Sequence, residues 1–321
     1  MKKILVTGAD GFSALHLLPL LRETEKDWIA GTMLNKSPQE KWLDQVYYGD
    51  ITEFGFLKKV VLETCPDQIY HLAAIVPIAL VRSDFPRALR VNVEGTFHLL
   101  EAVSNGSPTA RVLFIGSSEE YGIICPDELP LQEIDKFSPA NEYGMTKVGQ
   151  ELLARIYQRG RNMLFLFTRT FNITGPGQSP EFVCSSIAMQ VAKCRRQGGR
   201  SIRIGNLDVK RDFLDVRDAV RAYQIIMEKG ISGMVFNVCS GEAVSLTSVL
   251  DTLRELAGVQ ISVERDDERF RKVDIPHIVG NNEKICRLGW RRSIPMRDTL
   301  RDLLSHWEKN LPEDIRKIER S

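Results

Sequence analysis

The segment Glu142-Tyr-Gly-Met-Thr-Lys147 places a phenol and an ammonium four residues apart. Residues at positions i and i+4 share one face of a helix, with Cβ atoms about 5–6 Å apart. A lysine ammonium near a phenol favours the phenolate, lowers its pKa from about 10 and so prepares it for proton transfer. A solvated helix face often carries the same pair. The sequence around Tyr143 and Lys147 is therefore needed to distinguish a catalytic pair from an exposed one.

Short β-rich runs alternate with helical patterns through the first 170 residues. The predicted strands are 4–7, 28–33, 68–72, 111–116 and 163–170, and the predicted helices are 12–22, 53–63, 86–104 and 142–159. This alternation predicts right-handed βαβ units and an α/β fold with a doubly wound parallel sheet, the Rossmann arrangement. Ligands of such sheets bind outside the carboxyl ends of the strands.

The regular alternation weakens after residue 170, where NITGPGQSP predicts a loop and KCRRQGGRS and FRKVDIPH predict irregular segments. Helical patterns return at 217–229, 245–257 and 295–308, with a strand at 234–238. We expect residues 1–170 and about 206–240 to form the dinucleotide-binding domain. A smaller, mostly C-terminal substrate domain, about 171–205 plus 241–321, is expected to cover the cleft.

The composition limits the classes of partner. Among 321 residues, 43 basic and 42 acidic side chains nearly cancel and are scattered, which argues against binding nucleic acid. The apolar stretch after Met1 is too short for a signal peptide, and no run of about 18 apolar residues follows, so we expect a cytoplasmic protein that does not span a membrane. The six cysteines lack Cys-x-x-Cys spacing, so no metal site is expected.

The sequence VTGADGFSA follows the first strand and opens the first helix. Gly8 and Gly11 permit a tight turn and a close backbone approach to a pyrophosphate, which the helix N-terminus then binds, with Asp10 and Phe12 in the same loop. Ala14 replaces the third glycine that often follows, and its methyl group still allows close packing of helix on strand. The pattern predicts a dinucleotide site.

The second strand ends in GTMLNK, without the acidic residue that binds an NAD ribose. Asn35 and Lys36 are the candidate partners of a 2′-phosphate, so NADP(H) is favoured and NAD(H) stays an alternative. Asp50 in YYGDIT either reaches the adenine amino group or forms a turn.

Further motifs carry a family resemblance. In order along the chain, TGADGF, HLAA at 71–74, Asn92 in RVNVEGT, Ser117 in LFIGSSEEYG and the Tyr143/Lys147 pair resemble the extended short-chain dehydrogenase/reductases that act on nucleotide sugars. RTFNITGPGQ, IGNLDVKRDFLDVRD, FNVCSG and LGW narrow the resemblance to the GDP-mannose branch, which contains GDP-mannose 4,6-dehydratases and 4-keto-sugar reductases. The chain is most similar to the reductases of that branch.

The resemblance implies reduction at carbon 4 of a GDP-linked 4-keto-6-deoxy sugar, with Tyr143 as proton donor and Ser117 orienting the carbonyl. Lys147 is expected to lower the pKa of Tyr143 and to hold the nicotinamide ribose. Glu119 is a substrate contact, a loop carboxylate without a role in the reaction or, as in the dehydratases, a base at carbon 5. A GDP-sugar dehydratase or epimerase that recycles its nicotinamide is therefore the alternative, and a non-catalytic dinucleotide sensor is a third hypothesis.

The resemblance also implies the remaining contacts. The cofactor-binding residues are Gly8, Asp10, Gly11, Phe12, Asn35, Lys36, Asp50, Ile51, Leu72, Ala73, Ala74, Asn92, Tyr143 and Lys147. The substrate-binding residues are Ser118, Glu119, Asn172, Arg211, Arg271 and Asp274. For Arg211 the alternative is a surface pair with Asp212 or Asp215.

The chain departs from the family pattern in FRKVDIP and in NEYGMTK, which lacks the usual Ser-Pro before the tyrosine. Asn141 can cap that helix instead. A homodimer is expected through 86–104 and 142–159. The apolar residues Leu152, Leu153, Ile156 and Tyr157 either supply that face or, as the simpler account, are buried against the sheet.

Overall fold

The computed structural model describes residues 1–23, 26–124, 126–266 and 275–311. Its strands are β1 (Lys3–Thr7), β2 (Trp28–Met33), β3 (Gln45–Tyr48), β4 (Gln68–His71), β5 (Arg111–Ser117), β6 (Leu164–Thr170), β7 (Asn172–Thr174), β8 (Ser201–Ile204), β9 (Lys210–Asp215), β10 (Val235–Val238), β11 (Ala243–Ser245) and β12 (Ser262–Arg265). Its α-helices are α1 (Phe12–Arg22), α2 (Phe56–Thr64), α3 (Ile78–Ser83), α4 (Phe85–Leu89), α5 (Gly95–Gly106), α6 (Glu142–Arg161), α7 (Val183–Gln197), α8 (Val216–Lys229), α9 (Leu246–Ala257), α10 (Glu283–Arg287) and α11 (Met296–Asn310).

Seven strands form one parallel sheet in the order β10-β6-β5-β4-β1-β2-β3. The central strands are continuous apolar runs because helices cover both faces of the sheet. Since β1 pairs with both β2 and β4, the winding reverses there, and a crevice opens at the carboxyl ends of the strands. The predicted doubly wound α/β fold is confirmed.

The helix predicted at 86–104 is not continuous. It consists of α4, a π-helical turn at Arg90–Glu94, and α5. The elements that were not predicted are β3, β7, β8, β9, β11, β12, α3, α7 and α10, and β7 occupies the start of the segment NITGPGQSP that was predicted to be a loop. The first five residues of KCRRQGGRS end α7 and are therefore regular helix, and residues 270–274 of FRKVDIPH lie outside the described residues.

Apolar side chains pack on both faces of the sheet, and a separate cluster joins α7, α9 and α11. In that cluster Trp307 of α11 donates its indole N–H to the Ser185 hydroxyl of α7 at 2.9 Å. This packing places α7 over the carboxyl edge of the sheet, although the two-domain division with its predicted boundaries stays a prediction. None of the helices in the described ranges combines the length and apolarity that a bilayer span requires.

Candidate active site

A cleft of about 1350 Å³ opens at the carboxyl ends of the central strands. Its lining includes the hydroxyl groups of Ser117 and Tyr143, the side chain of Arg211, and Arg203, which pairs with Asp266 at 3.7 Å. A cleft of this size and lining can hold a ligand that carries both hydroxyl groups and phosphate charge.

Helix α6 presents both Tyr143 and Lys147 to the cleft. The helix begins after Asn141, whose Oδ1 accepts the Gly144 amide at 2.9 Å, so the predicted cap is observed. Tyr143 is 7% exposed and Lys147 is 3% exposed. The pair therefore does not belong to a solvated helix face, and the structure brings it together with Ser117.

The surroundings of Tyr143 and Lys147 bear on the expected electrostatic relation between the two side chains. Burial raises the pKa of Tyr143 well above its usual value, and the charge of Glu120 adds to the rise while a hydrogen bond with Ser117 opposes it. The Lys147 ammonium donates instead to the Ile115 carbonyl oxygen at 2.8 Å. Burial therefore dominates the pKa of Tyr143 in this structure, and the effect of Lys147 on that pKa stays a prediction.

A buried hydrogen-bond chain reaches Lys147 from the first strand. The Thr7 hydroxyl bonds His71 Nδ1 at 2.7 Å, His71 Nε2 bonds the Thr96 hydroxyl at 3.1 Å, and Gln150 bonds both Thr96 (3.2 Å) and Lys147 (3.1 Å). Burial lowers the pKa of His71 to about 3 and that of Lys147 to about 8. The neutral imidazole thus fixes the orientation of Gln150, which in turn positions the ammonium.

The buried side chain of Asn92 makes three hydrogen bonds next to the site. Its side-chain oxygen accepts the Ile75 amide at 2.8 Å, and its amino group donates to the Ile75 carbonyl (2.9 Å) and the Thr146 hydroxyl (3.0 Å). Because Asn92 is 0% exposed and makes these three hydrogen bonds, it ties the loop after β4 to α6, and its contact with the cofactor stays a prediction. Leu72 and Ala74 of the same loop do line the cleft.

Ser117 ends β5 and caps the short 3-10 turn Ser118–Glu120. Its hydroxyl oxygen accepts the Glu119 amide at 3.2 Å, which fixes its position beside Tyr143. The Glu119 side chain lines the cleft, and its Oε2 accepts the Asn141 side-chain amide at 2.6 Å. Ser118 is buried in this turn and also lines the cleft.

A buried ionic cluster lies behind this turn and was not predicted. Glu120 Oε1 accepts the Ser117 amide at 2.7 Å, and its Oε2 lies 3.6 Å from Arg169 Nε, which is also 3.4 Å from Glu151 Oε2. The Arg169 guanidinium lies over the Tyr121 ring, 4.7 Å from its centroid. Burial and the charge of Glu151 raise the pKa of Glu120 well above its usual value, against the opposing charge of Arg169.

The predicted glycine loop has a geometry that fits a pyrophosphate. Gly8 has a φ of +68°, and a Cβ there would lie 2.7 Å from the Ala73 Cα, so only glycine fits. Gly11 is the N-cap of α1 and provides no side-chain hydrogen bond to the first turn. The amides of that turn therefore face the loop, as anion binding requires. Asp10 accepts the Leu34 amide at 3.1 Å and fastens the loop to the end of β2.

The predicted adenosine contacts lie along the neighbouring strand ends. Asn35 and Lys36 are exposed immediately after β2, and Phe12 is the first residue of α1. Asp50 Oδ1 accepts the Thr52 amide at 2.9 Å, which is the turn-forming alternative, and Ile51 is buried. Contact of Asp50 with adenine stays a prediction.

Asn172 of β7 and Arg211 of β9 also line the cleft. Arg211 is only 9% exposed, and its Nη1 donates to the Lys210 carbonyl oxygen at 3.0 Å. The carboxylates of Asp212 and Asp215 accept other donors, so the surface-pair alternative is not supported. Arg271 and Asp274 lie outside the described residues.

The chain is similar to known proteins along nearly its whole length. Residues 5–303 match the family described as GDP-mannose 4,6 dehydratase. The chain is 30% identical to a GDP-6-deoxy-D-mannose reductase of Pseudomonas aeruginosa over 316 residues, 98% of this chain and 99% of that protein. It is 28% identical to a GDP-6-deoxy-D-talose 4-dehydrogenase of Aggregatibacter actinomycetemcomitans, covering 89% and 90% of the two chains. The structure of RMD from Pseudomonas aeruginosa complexed with NADPH superposes with a TM-score of 0.85 at 29% identity, covering 96% of this chain and 99% of that one.

Proposed function

The chain belongs to the GDP-mannose 4,6-dehydratase family of extended short-chain dehydrogenase/reductases, and from this premise we propose that it is an NADPH-dependent reductase of a GDP-linked 4-keto-6-deoxy sugar. The observation that carries the proposal is the meeting of Ser117, Tyr143 and Lys147 in one cleft at the carboxyl ends of the sheet. Both named GDP-sugar relatives carry out oxidation or reduction of a GDP-linked 6-deoxy sugar, as their names state.

The nicotinamide supplies the hydride when it is bound, and the side chains of the protein orient the carbonyl and supply the proton. Negative charge develops on the carbonyl oxygen at carbon 4, where it needs a hydrogen bond and a proton. The Ser117 hydroxyl orients that oxygen, and the Tyr143 hydroxyl donates the proton. The raised pKa of Tyr143 keeps the phenol protonated at neutral pH, which is the form that a reductase needs in its proton donor.

Lys147 holds the nicotinamide ribose hydroxyls and stabilises the phenolate that proton donation leaves behind. Its ammonium donates to the Ile115 carbonyl and to Gln150, and the side chain lines the cleft in which the cofactor would bind. The glycine loop binds the pyrophosphate through Gly8, Gly11 and the start of α1. Lys36 and Asn35 bind the 2′-phosphate, which favours NADPH, and NADH stays a weaker alternative.

The remaining substrate contacts are assigned to polar and charged residues. Arg211 pairs with the diphosphate of a GDP-linked substrate, and Asn172 hydrogen-bonds the sugar or its phosphate. Ser118 and Glu119 contact the sugar, and Arg271 and Asp274 are proposed as further contacts to the nucleotide. These assignments are supported by the burial of Arg211 beside the cleft and by the family motifs that the residues occupy.

A dehydratase or epimerase that recycles its nicotinamide is the second candidate, favoured by the Glu119 carboxylate in the cleft. Adding GDP-4-keto-6-deoxymannose and following NADPH absorbance separates the two. A reductase oxidises one NADPH for each keto sugar, whereas a dehydratase or epimerase consumes no added NADPH. Conversion of GDP-mannose without net NADPH oxidation contradicts the proposal.

We also propose a homodimer. Met145, Leu152 and Ile156 lie on one face of α6 at 42%, 46% and 66% exposure. Leu153 and Tyr157, for which the same face was one of two expectations, pack against the core instead. The exposed stripe suits a two-fold contact in which α5 and α6 meet their copies. A cytoplasmic location and the two-domain division are further proposals consistent with the family.

A further inference from the structure

Asn141 makes two hydrogen bonds with opposite roles at the edge of the cleft. Its side-chain oxygen accepts the Gly144 amide and caps α6 at 2.9 Å. Its side-chain nitrogen donates to Glu119 Oε2 at 2.6 Å. Asn141 lies in the NEYG segment, which lacks the Ser-Pro that usually precedes the tyrosine in the family. The two hydrogen bonds are therefore made by a residue of the segment in which this chain differs from the family pattern.

The cap fixes which way the Asn141 amide faces. Reversing the group would point its NH2 at the Gly144 N–H and leave two donors opposed. The oxygen must therefore face the helix, and the amino group must face Glu119. Gly144 adds to this restraint, because a Cβ at that position would lie 2.4 Å from the Glu119 carbonyl oxygen, so the helix start and the Glu119 turn are in direct contact.

The Glu119 carboxylate lies where it could compete with reduction. The same Ser117 and Tyr143 hydroxyls that polarise the carbonyl at carbon 4 also acidify the hydrogens on the neighbouring carbons. A carboxylate in this cleft can remove such a hydrogen. The C–H bond breaks, its electron pair forms a carbon–carbon double bond, and Tyr143 protonates the carbonyl oxygen, giving an enol with no change in oxidation state.

We infer that Asn141 restrains Glu119 from this proton abstraction and so keeps a keto sugar available for hydride addition. The inference rests on the proposed function, because it takes a 4-keto sugar as the ligand. The charge-assisted hydrogen bond occupies one carboxylate oxygen and holds the side chain against the helix start. Asn141 is therefore a positioning residue that acts through Glu119 and does not itself touch the reacting atoms.

Exchange of carbon-bound hydrogen in D2O measures the restraint directly. The protein is incubated with GDP-4-keto-6-deoxymannose and NADP+, which completes the site without permitting reduction, and the loss of the hydrogens beside the carbonyl is followed by proton NMR. Asn141→Ser keeps a capping oxygen but removes the amino group. We expect exchange about tenfold faster or more than in the wild type, the factor that the loss of one charge-assisted hydrogen bond represents. Asn141→Asp, which also caps, is expected to exchange at least as fast.

The double variant Asn141→Ser/Glu119→Gln serves as the control and should return exchange to the rate without protein. A second readout does not depend on turnover: the Asn141 side-chain amide resonances of the wild type should move in Glu119→Gln. Equal exchange in wild type and Asn141→Ser, or resonances that do not respond to Glu119→Gln, overturns the inference. The failure of the wild type to oxidise NADPH with the keto sugar is a separate result, which overturns the proposed function.

Discussion

Raising the pH should weaken activity while it strengthens the fold, because both depend on the buried Lys147 ammonium. Burial lowers the pKa of Lys147 to about 8, against 10.5 for an exposed lysine, although the charge of Glu120 works in the opposite direction. Above pH 8 the folded protein loses the charge that is proposed to hold the nicotinamide ribose. The kcat/KM for NADPH, which reports groups of the free enzyme, should fall about tenfold per pH unit, or about thirtyfold by pH 9.5.

Stability should change in the opposite direction over the same range. Between pH 8 and 10.5 the unfolded chain keeps a proton on Lys147 that the folded chain has released, so the free energy of unfolding rises with pH. The contribution of Lys147 is thus complete above pH 10.5 and is lost as the pH falls through 8. By pH 9.5 the contribution of Lys147 to the free energy of unfolding is about 2 kcal/mol.

Urea unfolding of the wild type and of Lys147→Met, from pH 7 to about 9.5, isolates this contribution, because the other titrating groups are common to both chains. The difference between the two free energies of unfolding should grow by about 2 kcal/mol in favour of the wild type. A constant difference refutes the burial argument. A growing difference with a flat kcat/KM leaves the burial argument intact and refutes the role of the ammonium in binding cofactor.

Three further predictions test other parts of the site and the assembly. Tyr143→Phe should lower kcat by about a hundredfold or more with nearly unchanged NADPH affinity, measured by steady-state kinetics and fluorescence titration, and near-normal turnover contradicts its role as proton donor. Lys36→Ala should raise the KM for NADPH about tenfold and leave the KM for NADH unchanged, and an equal rise for both cofactors argues against a 2′-phosphate contact. Leu152→Arg with Ile156→Glu should convert a dimer to monomer in sedimentation velocity, whereas a wild type that sediments as a monomer at micromolar concentration rejects the dimer.

Local patterns predicted the parts of the site that are close together in the chain. Tyr143 and Lys147 face the cleft because four residues of helix determine their relation, and Gly8 adopts the left-handed conformation that the turn after β1 requires. The predicted bounds of α1 and β2 agree with the structure, since each is a simple periodic run.

Features that depend on contacts between distant residues were not predictable in the same way. Glu120, Glu151 and Arg169 come from three separate elements, and no local period marks a carboxylate as buried. Helix α7 was missed because its N-cap, Phe182, makes no side-chain cap bond, so the usual start signals are absent. The π-helical turn that interrupts the predicted helix 86–104 is likewise set by tertiary contacts, since Asn92 bonds the loop after β4.

The ionic cluster behind Ser117 bears on how the sugar preference of this protein can be redesigned. The turn that carries Ser117 and Glu119 is anchored through Glu120 to Arg169, so a substitution that shifts it leaves charges without partners in the protein interior. A second wall of the cleft, formed by α3 and the residues before it, carries exposed side chains such as Val76 and Leu80 and is held at Ile75 by neutral hydrogen bonds to Asn92, without a buried charge. Mutant libraries that aim at new sugars should therefore diversify that wall and keep residues 117–121 constant.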